Sequence, residues 1–308
     1  MLATADLPPD RMAEHAPRPV LVTGAAGFVG RAVCARLRQA GLAVRVAVRD
    51  PRQSMGFDLA LQGEIGPDTD WSAALRGCRA VVHLANIAHT RAEAARLERV
   101  NVQATARLAA EAARAGVHRF VYLSSIKARN QEDEADAYSH SKRAAEEALA
   151  SVVGLQSVSL RPPLVYGPGV KANFLALMRA IDRGWPLPLA GIDNRRSLVF
   201  VGNLADAVRA VLQSERCVPG TYEVCDAEAF STPQLCRAIG AALGRPARLF
   251  GLPVPLLELL PPMRKLTRSL LAEDAGFRAT YGWAPPHAAQ AGLAETAAWY
   301  REHADARR

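Results

Sequence analysis

The sequence predicts an α/β fold: a doubly wound parallel sheet with a smaller C-terminal lobe. Three observations predict it. Short β-branched runs alternate with long Ala/Leu/Arg segments through the first 165 residues, a glycine-rich turn joins the first run to the first helix, and the texture changes past Tyr166. Strand–helix alternation argues for parallel strands with helices on both faces. Strands covered on both sides read as near-continuous apolar runs, as do PVLVT at 19–23 and AVVHL at 80–84.

Strands are expected at 19–23, 43–48, 80–84, 119–124 and 157–161, with helices at 31–39, 92–115 and 138–151. Beyond Tyr166, prolines gather at 186–188, 253–262 and 285–286, and strand signals thin out. One returns at 197–201 (SLVFV), followed by a helix at 204–213. The expected organisation is a loose arm over 1–18, a dinucleotide-binding domain over 19–165 to which 197–214 returns, and a substrate lobe built from 166–196 and 215–308.

Composition excludes several classes. The 308 residues are half hydrophobic and 22% charged, as in a soluble globular protein. No apolar run reaches membrane-spanning length; the most apolar stretch, 251–263, is broken by prolines and Glu258. No export signal opens the chain, which predicts a cytoplasmic protein. The formal charge of +8 comes from scattered arginines without interleaved aromatics, so nucleic acid is not the expected partner. Five cysteines, an odd count without a C-x-x-C pair, predict neither a disulfide framework nor a metal site.

Residues 20–30 read VLVTGAAGFVG, with Gly24, Gly27 and Gly30 closing a strand and opening a helix. The first glycine permits a tight turn, the second lets the backbone approach a pyrophosphate, and the third allows close helix–strand packing. The helix N-terminus then offers N–H groups to phosphate. At the end of the second strand, where a carboxylate would bind the ribose 2′-OH, stand Val48 and Arg49. A guanidinium there suits a 2′-phosphate, and Arg31 adds a second cation. NADP(H) is therefore expected over NAD(H), with Asp50 the counter-indication.

Tyr138 and Lys142 lie four apart, on one helix face. A tyrosine titrates near pH 10 and needs a neighbouring cation to act as a base near neutrality. Upstream, Ser124 and Ser125 end a strand at the edge where doubly wound sheets bind ligands. Ser125 is the expected hydrogen-bond partner of the reacting oxygen, Tyr138 the proton-transfer group, and Lys142 the cation that also reaches the nicotinamide ribose.

Together TGAAGFVG (23–30), HLAN (83–86), Asn101, SSIK (124–127), YSHSK (138–142), RPPLVYGPGVKANF (161–174), RRSLVFVGNLADA (195–207) and YGWAPP (281–286) resemble the extended short-chain dehydrogenase/reductase superfamily. Within it they resemble the NAD-dependent epimerase/dehydratase group, and most closely bacterial surface-polysaccharide enzymes such as UDP-4-keto-6-deoxy-N-acetylglucosamine 4-reductases. The resemblance implies that Phe28, Val29, Leu84, Ala85, Asn101 and Pro162 join the dinucleotide site, with Glu64 near the adenine. It implies that Asn173, Phe174 and Arg196 meet a UDP-sugar, Arg196 on its diphosphate; Asn86 departs from the alanine usual in the group, next to the expected nicotinamide site, and is expected to meet the substrate. It also implies a homodimer paired through the long helices at 92–115 and 138–151.

Only twelve residues separate Ser125 from Tyr138, roughly half the number usual in the group, which leaves the sugar open. The leading expectation is NADPH-dependent reduction of the C4 keto group of a UDP-linked 4-keto-6-deoxy sugar. The alternative is an NAD-dependent UDP-sugar 4-epimerase, and a third reading is an NADP-sensing protein without turnover. The basic, amphipathic stretch 256–271 is expected to roof the substrate lobe; contact with a membrane surface is the other reading.

Overall fold

The computed structural model describes residues 18–87, 93–129, 137–259 and 261–305. The expected N-terminal arm lies outside them except for Arg18. So does residue 92, the expected start of a long helix.

A strand β1 (Val20–Thr23) leads through the glycine turn into helix α1 (Phe28–Gln39). Strands β2 (Val44–Val48) and β3 (Asp58–Gln62), the short helix α2 (Ser72–Leu75) and β4 (Ala80–His83) follow. Next comes a helical stretch in three pieces: α3 (Ala94–Leu97), a π-helical turn (Glu98–Gln103) and α4 (Ala104–Arg114). Then come β5 (Arg119–Leu123), a 3-10 turn (Ile126–Arg129), α5 (Ala137–Ala150), β6 (Gln156–Arg161) and β7 (Leu164–Tyr166). The second half holds α6 (Ala172–Asp182), β8 (Arg196–Phe200), α7 (Val201–Gln213), β9 (Gly220–Glu223), β10 (Ala229–Phe230) and α8 (Thr232–Leu243). Helices α9 (Val254–Glu258), α10 (Pro261–Thr267), α11 (Ala275–Tyr281) and α12 (Ala289–Asp305) complete it.

Seven parallel strands form one sheet in the order β3-β2-β1-β4-β5-β6-β9. The order reverses between β1 and β4, which opens a crevice at their C-terminal ends. Alternate residues of each strand feed the two sides. Val20 and Val22 join the layer that includes Val33, Leu37, Leu204 and Val208, whereas Leu21 joins that of Leu108, Ala112, Phe120 and Leu149. Two strands escaped the sequence reading. β3 (DLALQ) is a half-exposed edge with little β-branching, and β9 (GTYE) is short and sits far along the chain in the expected substrate lobe.

The strand expected at 197–201 runs from Arg196 to Phe200 and pairs with β7 and β10 in a separate three-stranded sheet. Its helix α7 lies against α1 and the large sheet. The chain thus crosses between the two bodies at Phe200, and a buried carboxylate fixes the crossing. Asp226 accepts hydrogen bonds from Tyr166 Oη (2.9 Å), the Phe200 N–H (3.0 Å) and Asn203 Nδ2 (2.7 Å). Burial raises its pKa while these donors oppose the shift.

The lobe core joins α6, α8 and α12 through residues such as Phe174, Met178, Ile239 and Leu293. α8 shows why its sequence stops and starts where it does. Ser231 and Gln234 form a reciprocal capping box, and Gly244 ends the helix at φ 71°. The stretch 256–271 is strapped onto β8. The Ser197 N–H donates to Leu270 O, the Leu270 N–H to Arg195 O, and Asn194 Nδ2 to Leu266 O and Arg268 O. Leu256, Leu259 and Leu271 of that stretch remain exposed. Among the described residues no helix is long and apolar enough to cross a membrane.

Candidate active site

The glycine turn is shaped by contacts that leave no room for side chains. Gly24 has φ +67°, and a Cβ there would lie 2.7 Å from the Ala85 nitrogen. At Gly30 it would lie 2.2 Å from Gly24 O and 2.7 Å from Ala25 Cα. Gly27 differs: besides Gly24 O at 3.1 Å, its Cβ would meet nothing within 4 Å apart from chain neighbours. That open side caps α1, whose N-terminus has neither a side-chain cap nor an acidic residue in its first turn. An anion fits there. Phe28 and Val29 are half-buried and reach the core of the second lobe, so the turn is braced from both bodies.

At the end of β2, Val48 is buried and Arg49 exposed. Asp50 turns to Arg52: its carboxylate accepts from the Arg52 N–H, Nε and Nη2 at 2.7 to 3.0 Å, capping a 3-10 turn. These bonds hold its pKa below the usual carboxylate value. Arg31 is exposed and donates through Nε to Ala26 O at 3.1 Å. Glu64 is exposed just beyond β3.

After β4, Leu84 is buried and Ala85 and Asn86 half-buried. Asn86 Nδ2 donates to Leu84 O at 3.1 Å, while its Oδ1, fully enclosed, meets no protein donor. The buried Ser124 Oγ next to the second crevice strand is likewise unmatched. Orphan oxygens just past the ends of β4 and β5 suit a bound polar molecule. Asn101 sits in the π-helical turn, 1% exposed, with its amide fully engaged: Oδ1 accepts from the Ile87 N–H (2.8 Å), and Nδ2 donates to Ile87 O (3.2 Å) and Ser141 Oγ (3.1 Å). Its side chain therefore holds the 84–87 strip instead of facing the crevice.

On α5, Lys142 is completely buried. Its Nζ donates to Leu123 O at 2.7 Å and lies 4.7 Å from the Tyr122 ring centre and 5.8 Å from that of Tyr138. Burial pushes its pKa down to about 7, and the Glu146 carboxylate one turn on opposes the shift. Glu146 is itself paired with Arg161 on β6 through two bonds of 2.9 and 2.5 Å. Lys127 places a second ammonium 5.7 Å from the Tyr138 ring. Tyr138 is half-buried, and Ser125 Oγ accepts from the Lys127 N–H at 3.3 Å. Pro162 is buried, its carbonyl held by the Ile126 N–H at 3.0 Å.

The second-lobe residues are arranged less simply. Asn173 is exposed at the start of α6, after Ala172 at φ 52°. Phe174 is 2% exposed and stacks on Tyr166 at 5.5 Å, so its ring builds the lobe core and offers no open face to a base. Arg196 is half-buried, and Nη1 is held by the carbonyls of Lys265 and Arg268. It fastens the 256–271 strap, leaving the rest of the guanidinium for an anion.

Tyr122, Thr23, Thr105 and Glu146 support this site and were missed by sequence reading. Glu146 carried a signal, being four residues beyond Lys142 on the same helix face. The others carried none, because a buried tyrosine or threonine, on a strand (Thr23, Tyr122) or in a helix (Thr105), reads as packing. Among the described residues no cluster could hold a metal, and all five cysteines are free and buried.

Comparison with known proteins agrees with this geometry. Residues 20–225 match the NAD dependent epimerase/dehydratase family. A UDP-glucose 4-epimerase of Vibrio cholerae is 34% identical over 311 residues, covering 91% of this chain and 95% of the relative. A ceramide reductase of Caulobacter vibrioides is 33% identical over 250 residues, covering 79% of this chain and 76% of the relative. The solved structure of MoeE5 in complex with UDP-glucuronic acid and NAD superposes with a TM-score of 0.74 at 25% identity, covering 92% of this chain and 99% of that one. The turn, the crevice and the Tyr138–Lys142 helix thus stand in a recognised setting: the chain belongs to the NAD-dependent epimerase/dehydratase family.

Proposed function

We propose that this chain is an NAD(P)-dependent UDP-sugar 4-epimerase, with Tyr138 as the proton-transfer residue and Lys142 as its cation. The observation that carries the reading is Lys142, buried without exposure, held by Leu123 O and aimed between Tyr122 and Tyr138. The full-length likeness to the Vibrio cholerae UDP-glucose 4-epimerase favours epimerisation over the expected 4-keto reduction.

The cradle of Gly24, Gly27 and Gly30, the α1 N-terminus and the 84–87 strip would hold the dinucleotide. When bound, it supplies reversible hydride transfer. Tyr138 takes the proton from the sugar C4 hydroxyl and returns it to the same oxygen after the sugar turns, the C4 hydride leaving from one face and coming back to the other. Ser125 orients the reacting oxygen, and Asn86 Oδ1 accepts from a ligand donor beside it. Arg196 and the exposed Asn173 lie on the path of a UDP group. A hollow of about 720 Å3 between α3 and α5, lined by four alanines together with Glu98, His140, Ser141, Arg143 and Glu147, lies on the helices through which a homodimer would pair.

A second reading has its own observation. Arg49 and Arg31 are exposed at the ribose end, and Arg52 occupies Asp50. That favours a 2′-phosphate, hence NADPH and reduction of a UDP-linked 4-keto-6-deoxy sugar. Purified protein is denatured and its released dinucleotide identified, then the enzyme is offered UDP-glucose and UDP-4-keto sugars with NADPH. Bound NAD with a C4-inverted product supports the epimerase. NADPH oxidation by a keto sugar without inversion replaces it with the reductase, and neither activity with any member sinks both.

A further inference from the structure

The side chains between the glycine turn and the catalytic helix form two hydrogen-bonded runs that meet at Asn101, one on its backbone carbonyl and one on its side-chain amide, and their polarity can be worked out link by link. Thr105 Oγ1 donates to Asn101 O at 2.7 Å, one turn back in its own helix. Its hydrogen is thereby used, so toward His83 Nε2, 2.9 Å away, it can only accept. His83 thus carries its proton on Nε2, and Nδ1 must accept from Thr23 Oγ1 at 2.7 Å. Thr23 Oγ1 in turn accepts from the Leu84 and Ala85 N–H groups, both at 3.2 Å. At the other end Asn101 Nδ2 donates to Ser141 Oγ (3.1 Å), and Ser141 donates to Tyr138 O (2.8 Å).

We propose that His83 and Thr105 are positioning residues for proton transfer by Tyr138. As a neutral Nε2–H tautomer, His83 ties the strip at 84–87, against which the nicotinamide would lie, to the first turn of the catalytic helix. The inference rests on the reading of Tyr138 given above. One bond order satisfies every member of the Thr23–His83–Thr105 run, and Asn101 joins that run to Ser141 and the Tyr138 carbonyl. A second proton on His83 leaves Thr23 Oγ1 with a third donor and breaks the chain. The titratable groups facing the ring are Lys142 and Tyr122, the latter stacked at 5.9 Å; Phe120 packs at 6.0 Å. Among the described residues no carboxylate faces His83 to favour its charged form.

Two measurements test this. In apo protein labelled with 15N-histidine, long-range 1H–15N spectra identify the tautomer and follow its titration. The expected result is a neutral Nε2–H ring that does not titrate between about pH 5 and 8. An Nδ1–H tautomer, or ordinary titration near 6.5, overturns the proposal. Second, Thr105→Val keeps the shape and removes the relay. It is expected to lower kcat about tenfold to a hundredfold, with dinucleotide Kd within about threefold, and to speed amide exchange at Leu84 and Ala85. Thr105→Ser should restore all three. A valine variant with wild-type kcat and exchange, or a serine variant no better than valine, overturns it. If Tyr138→Phe retains full turnover, the reading of Tyr138 fails, while spectra and exchange still judge the relay.

Discussion

Both carboxylate oxygens of Asp50 are occupied by Arg52, two residues on, so the acidic group nearest the end of β2 is neutralised within its own turn. Arg49 stands exposed beside it. Coenzyme choice follows from this pair. Arg49→Ala should weaken NADP binding about tenfold or more, the value of a lost charge-assisted hydrogen bond, and leave NAD nearly unchanged. Arg52→Ala should shift preference toward NAD by freeing Asp50 for the ribose hydroxyls. Calorimetric titration with both coenzymes reads the two ratios.

Tyr138→Phe should lower kcat about a hundredfold to ten-thousandfold with little change in KM. Lys142→Met should lose activity to a similar degree yet melt at a higher temperature, because burial penalises the charged form of Lys142 and methionine fills similar volume. Thermal unfolding beside steady-state kinetics separates the two effects.

Glu146 opposes the fall in the Lys142 pKa. Glu146→Gln should therefore lower that pKa further and move the pH–rate profile of kcat/KM toward acid. It also removes the charge paired with the part-buried Arg161, which should destabilise the fold by about 1 to 3 kcal/mol. A pH–rate profile and a urea melt test the two consequences.

His83 makes stability depend on pH. Burial, with Lys142 adding to it, pushes its pKa down from 6.5 to about 3. Between those values the unfolded chain binds a proton that the folded one does not. Its contribution is full above 6.5 and is lost as pH falls toward 3, at about 1.4 kcal/mol per pH unit. Denaturant midpoints measured down that range should fall more steeply for the wild type than for His83→Gln.

The glycines differ in what they tolerate. Gly30→Ala forces a Cβ onto Gly24 O and Ala25 and should destabilise the fold by about 3 kcal/mol. Gly27→Ala meets one close contact, at 3.1 Å. It should fold nearly as well while losing dinucleotide affinity, because the methyl enters the space open to phosphate. Melting temperature and Kd for the two variants distinguish these outcomes.

Much of this was legible in the chain alone. The glycine spacing determined the turn, because the tight positions at Gly24 and Gly30 and the open one at Gly27 are set by backbone geometry within seven residues of sequence. The Tyr138–Lys142 pair was fixed by helical periodicity, and apolar runs at β1 and β4 announced strands covered on both faces. Tertiary structure decided the rest. Phe174 went into the lobe core because Tyr166 was there to stack on it, and Arg196 was drawn to carbonyls 69 and 72 residues away. Asp50 lost its meaning as an NAD signal once the turn brought it Arg52. Asn101, which the motif reading put on the dinucleotide, is fully engaged by Ile87 and Ser141. Local spacing determines what a backbone can do, whereas the partner of a polar side chain depends on which strand ends the sheet brings together.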